Sequence, residues 1–325
     1  MKVRAIDLFC GGGGSSWGAK AAGAEIVCGI DAWDVATRTY AANFPEAKAI
    51  TMRMASRTSP SLLGDLGKID LILASPECTN HTCARGSRPR VEESRLTAHY
   101  VVRFARDLAP RWIVIENVIQ MRNWIGYEKL VRGLSDLGYF IREEVLNSTG
   151  FGVPQTRKRL FLVCDNRTMP EAVGANARDA GPAARDVISW DGGFTSRPLY
   201  REGRAEGTIA RAERAIASLG RGTPFLIVYY GTDGGGGWQP LTRPIRTLTT
   251  LDRFGLVTWK GRTPMLRMLQ VPELQRAMGF SADYRLDHGT RRDRIKLLGN
   301  AVCPPVMRTL VQSLTAGTGY MMAAE

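Results

Sequence analysis

The sequence predicts an α/β protein with a doubly wound, mostly parallel sheet and a smaller second domain. Five apolar, strand-like segments alternate with helix-like segments through the first half of the chain, and a glycine-rich turn follows the first of them. Polar or reactive residues stand where several of these segments end. Doubly wound sheets bind ligands at the carboxyl ends of their strands, so these end residues are the first candidates for function.

Each strand is predicted from a continuous apolar run, which is typical of strands buried on both faces. The run "VRAIDLF" leads through "CGGGGSSWGAKAAG" into a helix, and "AEIVCGID" is followed by a helix through "WDVATRTYAANF". "IDLILAS" precedes a basic loop, and the helical "RLTAHYVVRFARDLA" leads to "RWIVIENV", another helix and "RLFLVCD". The five predicted strands therefore lie at 3–9, 24–31, 69–75, 111–118 and 159–165.

The pattern changes after residue 165. Residues 166–240 are rich in Ala, Gly and Arg, have weak periodicity and contain the turn "GTDGGGGW". Beyond them, "VPELQRAMGF" is helical and "RIKLLGNAVCPPVMRTLVQSL" ends in a helix. We predict a cofactor-binding and catalytic domain over 1–165, a small domain over 166–290, and a C-terminal segment over 291–325 that returns to the first domain.

The composition favours a polyanionic partner. Lys and Arg number 44 against 31 Asp and Glu, which gives a net charge of +13 and a pI near 9.8. Charge alone leaves a merely basic enzyme as an alternative. The six cysteines do not indicate a disulfide framework, because Cys28 and Cys164 lie in apolar runs. No signal peptide is evident, and the longest apolar run, "FLIVYY", is too short for a membrane span. We expect a cytoplasmic monomer.

The glycine turn indicates a nucleoside-containing cofactor. Gly11, Gly13 and Gly14 follow a strand and open a helix, where a missing Cβ allows positive φ and close approach of a ligand. Asp31 ends the second strand about 20 residues further on, where an acid can bind ribose hydroxyls. The turn does not say which cofactor is bound. A tight turn with no ligand is the alternative.

Cys78 and Glu116 are the candidate catalytic pair. Cys78 follows a buried strand directly, beside a proline and basic residues, where a thiolate is favoured. Glu116 ends a central strand, and acids are rarely buried without a function. Cys78, His81 and Cys83 also form a C-x-x-H-x-C pattern that fits a zinc site, although no second half with ligand spacing is evident. A plain loop cysteine is a further alternative.

Seven segments, in order, resemble the motifs of the DNA cytosine-5 methyltransferase family. "DLFCGGGG" resembles its first motif, "SPEC" its nucleophile loop, "ENV" its glutamate motif and "GVPQTRKRLFLV" its Gln-x-Arg-x-Arg motif. "RPIRTLTT", "PELQRAMGF" and "LLGNAVCPP" resemble the C-terminal motifs. The resemblance runs from Ile6 to Pro305, except for 166–240, where the family carries its variable target-recognition region.

The resemblance implies a Rossmann-like methyltransferase core that transfers a methyl group from S-adenosylmethionine to C5 of a flipped-out cytosine in duplex DNA. It makes Cys78 the nucleophile toward C6, and Glu116 the residue that hydrogen-bonds N3 and the amino group of the base. Arg159, and secondarily Arg157, would hold the base oxygen. The implied cofactor-binding residues are Phe9, Gly11, Gly13, Gly14, Asp31, Pro76, Asn300 and Val302.

Three positions depart from the family pattern. Glu77 stands before the nucleophile where proline is usual, Thr79 follows it where glutamine is usual, and "AITMRM" (49–54) lacks the acid that contacts adenine. These departures leave open a modified cofactor or a catalytically inactive DNA-binding relative. The same chemistry on an RNA cytosine is the nearest rival within the enzyme class. A dehydrogenase would leave Cys78 and Glu116 unexplained.

Overall fold

The computed structural model describes residues 2–76, 92–174, 181–230 and 236–319, with the side chains of 92–96 left out. A seven-stranded sheet forms the larger part, in the order β3-β2-β1-β4-β5-β8-β6. Its strands are β1 (Arg4–Leu8), β2 (Glu25–Asp31), β3 (Lys48–Thr51), β4 (Leu71–Ala74), β5 (Trp112–Asn117), β6 (Phe140–Asn147) and β8 (Lys158–Asp165). Helices α1 (Gly14–Ala21), α2 (Asp34–Asn43), α3 (Glu92–Leu108) and α4 (Tyr127–Ser135) connect them.

The prediction of a doubly wound, mostly parallel sheet is confirmed. Strands β1 to β5 pair in parallel, and β8 runs antiparallel to both of its neighbours, β5 and β6. Along β4, Leu71 and Leu73 face one hydrophobic core while Ile72 and Ala74 face the other. Burial on both faces explains the uninterrupted apolar run at this strand. The sequence did not predict β3 and β6, which lie at the two edges.

A second, antiparallel sheet has the strand order β11-β10-β13-β14-β9. The strands are β9 (Arg197–Pro198), β10 (Phe225–Val228), β11 (Trp238–Pro240), β13 (Phe254–Lys260) and β14 (Thr263–Met268). Helix α5 (Glu206–Leu219) covers one face through Ala212 and Ala215, which pack with Phe225 and Ile227. Leu226 faces the other way, into the core that the main sheet also uses. The predicted boundaries at 165 and 290 stay predictions.

Three helices follow the second sheet, and the last of them packs on the first helix of the main sheet. They are α6 (Val271–Ala277), α7 (Arg291–Asn300) and α8 (Pro304–Thr315). Helix α8 packs on α1 so closely that a side chain at Gly18 would clash with the carbonyl O of Pro304. Two short strands, β7 (Gln155–Thr156) and β12 (Ile245–Arg246), pair in parallel. This pair joins the segment "GVPQTRKRLFLV" to the segment "RPIRTLTT". None of the described helices is both long and apolar enough to cross a membrane.

Candidate active site

The glycine turn lies directly after β1 and reverses the chain into α1. Phe9, Gly11 and Gly13 all have positive φ, of 59°, 53° and 93°. A Cβ at Gly11 would meet no heavy atom within 4 Å, so this residue borders open space. A Cβ at Gly13 would instead lie 2.5 Å from the ring of Phe44, in the protein interior. The two glycines therefore have different tasks, because Gly11 leaves room for a ligand and Gly13 lets α1 pack.

Asp31 is held in place at the end of β2. One carboxylate oxygen accepts a hydrogen bond from the Gly11 N–H at 2.9 Å, and the other accepts one from the Trp33 N–H at 2.9 Å. Each carboxylate oxygen has more than one lone pair, so a single backbone hydrogen bond does not use its full capacity as an acceptor. This donor and acceptor arrangement suits the cis hydroxyls of a ribose.

These residues line one cavity of about 430 Å³ at the carboxyl ends of the strands. It contains seven of the eight predicted cofactor residues: Phe9, Gly11, Gly14, Asp31, Pro76, Asn300 and Val302. Gly13 is not among the lining residues. Glu116, predicted as catalytic, borders the same cavity, so the cofactor side and the acid share one space.

Three further lining residues were not singled out from the sequence: Trp33, Arg53 and Lys296. The ammonium of Lys296 lies 4.0 Å from the ring centroid of Trp33, a distance at which cation–π attraction is effective. Arg53 lies within 49–54, the segment in which the family resemblance placed an adenine-contacting acid. That this basic residue lines the cavity is seen only in the fold.

Glu116 is the buried acid of the site, with 5% of its surface exposed. Antiparallel pairing of β5 with β8 brings Arg159 beside it, and the Arg159 Nε lies 3.2 Å from the Glu116 Oε1. Burial raises the pKa of Glu116, and the charges of Arg159 and Arg157 oppose this increase. A carboxyl with a raised pKa keeps its proton closer to neutral pH and can donate it.

Arg157, predicted to act at the base after Arg159, is a buried residue with 3% of its surface exposed. It donates through Nη1 to the carbonyl O of Leu248 at 3.1 Å. Through Nη2 it donates to the carbonyl oxygens of Gly299 and Ala301 at 3.0 and 2.9 Å, and these two residues flank Asn300 of the cofactor cavity. Arg157 also lines a small cavity together with Glu116 and Arg159. Its hydrogen bonds thus support the wall of the cofactor cavity, and its role at the base stays a prediction.

Two other residues support the site in ways that the sequence did not indicate. The buried Gln155 donates to the Ala277 carbonyl O at 3.1 Å and accepts from the Leu248 N–H at 2.8 Å. The hydroxyl of Tyr284 donates to the carbonyl O of Gly12 at 2.6 Å, which fixes the glycine turn from the far end of the chain. Both contacts join residues more than 90 positions apart.

The segment that carries the predicted nucleophile begins at the edge of the cavity. Ser75 and Pro76 are the last residues described before it, and the Asn117 side chain donates to the Pro76 carbonyl O at 3.0 Å. The predicted residues Glu77, Cys78, Thr79, His81 and Cys83 lie outside the described residues. Within the described ranges no group of three or more His, Cys, Asp or Glu is arranged to hold a metal ion.

The fold and the cavity define an α/β enzyme that binds a nucleoside-containing cofactor beside a buried acid. Residues 3–181 match the family of C-5 cytosine-specific DNA methylases. The Type II methyltransferase M.HgiDI from Herpetosiphon aurantiacus is 31% identical over 97% of this chain and 94% of its own length. The Type II methyltransferase M.FnuDI from Fusobacterium nucleatum is 23% identical over 92% and 90%.

The solved structure of the S. pombe Dnmt2 methyltransferase has the same fold, with a TM-score of 0.67 and 18% identity over 98% of this chain and 100% of its own. The chain belongs to the C-5 cytosine-specific DNA methylase family. It is a cytosine-C5 methyltransferase that uses S-adenosylmethionine. The cavity fits this cofactor, because Asp31 offers ribose acceptors, Gly11 leaves space and Phe9 supplies an apolar wall.

Proposed function

We propose that the protein methylates C5 of a flipped-out cytosine in duplex DNA, through a covalent bond between the Cys78 sulfur and C6. The observation that carries this proposal is the buried Glu116–Arg159 pair, which borders the same cavity as Asp31 and the glycine turn. An acid that can donate a proton and a site for the methyl donor thus occupy one enclosed space. A stacked base cannot reach this space, so the target nucleotide must leave the helix.

The proposed reaction assigns one task to each residue. The Cys78 thiolate forms a bond to C6, and electron density moves to C5 while Glu116 gives a proton to N3. Arg159 holds Glu116 and meets the base oxygen. S-adenosylmethionine supplies an electrophilic methyl group, which C5 takes. A base then removes the C5 proton, the C6–sulfur bond breaks, and N3 returns its proton to Glu116. The thiolate and neutral 5-methylcytosine are released.

We propose that Asp31 binds the cofactor ribose, and that Phe9, Gly11, Gly14, Pro76, Asn300 and Val302 line its pocket. Gly13 acts indirectly, by allowing α1 to begin close to the turn. Arg157 acts through the carbonyls beside Asn300. These assignments follow from the lining of the cavity and the hydrogen bonds around it.

Duplex DNA is the substrate that the sequence relatives support, because the matching proteins are named Type II methyltransferases of bacteria. A net charge of +13 supports a polyanionic substrate as well. By the same similarity we propose a modification enzyme that works in the bacterial cytoplasm.

Methylation sequencing of DNA from cells that express the protein tests the proposal directly. We expect 5-methylcytosine at one defined sequence. In vitro, DNA with 5-fluorocytosine at that sequence should trap a covalent adduct with the wild type and with Cys83→Ser but not with Cys78→Ser. Methylation of RNA only, or an adduct that depends on Cys83, contradicts the proposal.

A further inference from the structure

Two basic side chains line the cofactor cavity among the described residues, and none of the roles above uses them. One of them, Arg53, already interacts with another residue of the chain. The other, Lys296, forms no hydrogen bond or ion pair within the described ranges, and its ammonium lies against the ring of Trp33. A cation in this wall calls for a reason, because the sulfonium of the cofactor is itself positive.

Helix α7 presents Lys296 to the cavity. Lys296 and Asn300 are four residues apart, so they share one face of the helix, and both line the cavity. Leu298 lies on the opposite side and is buried in the core. At the end of the helix, Arg157 holds the carbonyl O of Gly299 at 3.0 Å. The helix is therefore fixed with Lys296 on its cavity side.

The ring of Trp33 holds the ammonium of Lys296 beside the acid proposed to bind the ribose. The Lys296 Nζ lies 4.0 Å from the ring centroid, where cation–π attraction is effective. The Trp33 N–H donates to the Asp31 carboxylate at 2.9 Å, so the ring and the acid are fixed to each other. A lysine that is already ordered loses less side-chain entropy when it binds an anion.

The carboxylates near Lys296 are engaged by other groups. Asp31 accepts the backbone N–H groups described above. Asp293, on the same helix, accepts hydrogen bonds from the Thr290 N–H and hydroxyl at 2.9 and 2.7 Å. It interacts with Lys296 through longer-range electrostatics and forms no ion pair with it within the described ranges. The ammonium can therefore give a charge-assisted hydrogen bond to a ligand.

The chemistry of the cofactor says which of its groups suits this cation. S-adenosylmethionine has one anionic group, the carboxylate of its methionine part, whereas its sulfonium and its amino group are positive. Among these charged groups an ammonium in the wall attracts the carboxylate alone. Single bonds join the methionine part to the ribose, so the carboxylate can turn toward a cation that lies beside the ribose acid.

We propose that Lys296 binds the methionine carboxylate of the cofactor, and that Trp33 positions the ammonium for this contact. The inference requires S-adenosylmethionine as the cofactor and its ribose at Asp31. It does not require DNA as the substrate, so it goes beyond the proposed reaction and can fail separately from it.

The test compares two ligands that differ only in this carboxylate, S-adenosylhomocysteine and its decarboxylated analogue. Isothermal titration calorimetry with the full-length protein, without DNA, measures both Kd values. The wild type should bind S-adenosylhomocysteine more tightly than the analogue. Lys296→Met keeps the apolar stem of the side chain but has no charge. Its Kd for S-adenosylhomocysteine should rise about fivefold, and its Kd for the analogue should not rise.

Four further variants sharpen the comparison. Lys296→Arg keeps a cation and should retain most of the preference for S-adenosylhomocysteine. Arg292→Met removes a charge from an exposed position of the same helix that does not line the cavity, and it should match the wild type. Trp33→Leu should reduce the preference less than Lys296→Met does, because the cation remains without its fixed place. Asp31→Asn should weaken both ligands equally, since both carry the ribose.

Several results overturn the inference and leave the proposed reaction intact. Equal binding of the two ligands by the wild type means that the carboxylate is not recognised. Equal losses for both ligands in Lys296→Met place this side chain at the adenosine part instead. Wild-type Kd values in Lys296→Met, or the same change in Arg292→Met, remove Lys296 as the ligand. A wild type that binds neither ligand is a different failure, because it removes the proposed cofactor pocket itself.

Discussion

The main sheet and the second sheet carry their charged residues in different ways. At the strand ends of the main sheet, carboxylates are held by nearby donors, as Asp31 is by two backbone N–H groups and Glu116 is by Arg159. Near β9 of the second sheet, by contrast, three arginines lie close enough to affect one another: Arg197, Arg201 and Arg204. Burial, followed by the charges of Arg201 and Arg197, lowers the pKa of Arg204.

The two arrangements of charged residues suit two different functions. A reacting base and a methyl donor require groups that are fixed to a fraction of an ångström, and each such group in the main sheet has several partners. Binding a polyanion requires positive charge at the surface, and close like charges are tolerated there until the partner neutralises them. We propose accordingly that the main sheet carries out the chemistry and that the second sheet contributes to binding the polyanion. The following predictions test this division.

The largest effect should come from the acid of the main sheet. Glu116→Gln removes the proton that the carboxyl gives to N3, and we expect kcat to fall about 10²–10³-fold. The proposed step uses the protonated carboxyl, so wild-type kcat should decrease as pH rises through the pKa of Glu116, which burial raises. Glu143→Gln is the control, since Glu143 forms a half-exposed pair with Arg122. A Gln variant with more than a tenth of the wild-type turnover contradicts this role.

A buried ion pair formed by an arginine of the second sheet should have the next largest effect, on stability rather than turnover. Glu273 is fully buried, and both of its oxygens accept from the Arg267 guanidinium, at 2.6 and 2.7 Å. Glu273→Gln leaves that cation without its charge partner and should reduce the free energy of unfolding by about 3 kcal/mol. In the exposed pair Arg285–Asp287, Asp287→Asn should cost less than about 0.5 kcal/mol. Urea denaturation measures the free energy of unfolding of both variants. Similar losses in the two would contradict the distinction between buried and exposed ion pairs.

The strand ends of the main sheet could be predicted because the βα alternation orders them without knowledge of distant contacts. Asp31 and Glu116 follow apolar runs, and all such runs in a parallel sheet end at one edge. Strand β6 was missed because "FIREEVLN" is a half-exposed edge strand with charged residues, so no continuous apolar run marks it. The antiparallel direction of β8 was also not predicted, because the residues of a strand do not show which way it runs relative to its neighbours.

The position of Arg157 shows a second limit. Arg157 and Arg159 are two residues apart in one motif, and the family resemblance implied a role at the base for both. The hydrogen bonds of the Arg157 guanidinium depend on Leu248 and Gly299, which lie 91 and 142 residues away. The same holds for the hydroxyl of Tyr284 on the glycine turn. Residue types could be predicted, but not these long-range contacts.

Replacing Arg157 should weaken the cofactor site without touching the cofactor. Lysine keeps the charge but cannot bond the carbonyls of Gly299 and Ala301 together with a third one, as the guanidinium does. Arg157→Lys should raise the Kd for S-adenosylhomocysteine about tenfold, which is about 1.4 kcal/mol. Isothermal titration calorimetry measures this in the absence of DNA. Arg276→Lys, which loses contacts with the Val187 carbonyl O, should leave the Kd unchanged. Equal Kd values for all three proteins contradict the positioning role.

The smallest effect concerns Asp7, a buried carboxyl beneath the glycine turn. It is 1% exposed and accepts a hydrogen bond from the Ser16 hydroxyl at 2.7 Å. Burial is the main reason that its pKa rises to about 7, and the charge of Asp31 adds to the increase. Because the folded pKa lies above the ordinary value of 3.8, the folded state holds the proton more tightly than the unfolded state. This contribution to stability is complete below that ordinary value and is lost as pH rises through about 7.

Asp7→Asn removes the titration and keeps a side-chain oxygen that can accept from Ser16. We expect the variant to be more stable than the wild type by about 1 kcal/mol at roughly pH 8, where the buried carboxylate is charged, with the gap closing toward about pH 5. Urea denaturation across this range measures the difference. Asp34→Asn, at an exposed carboxylate paired with Arg38, should run parallel to the wild type. If Asp7→Asn also runs parallel, the folded and unfolded states bind the Asp7 proton equally, which contradicts a raised pKa at this carboxyl.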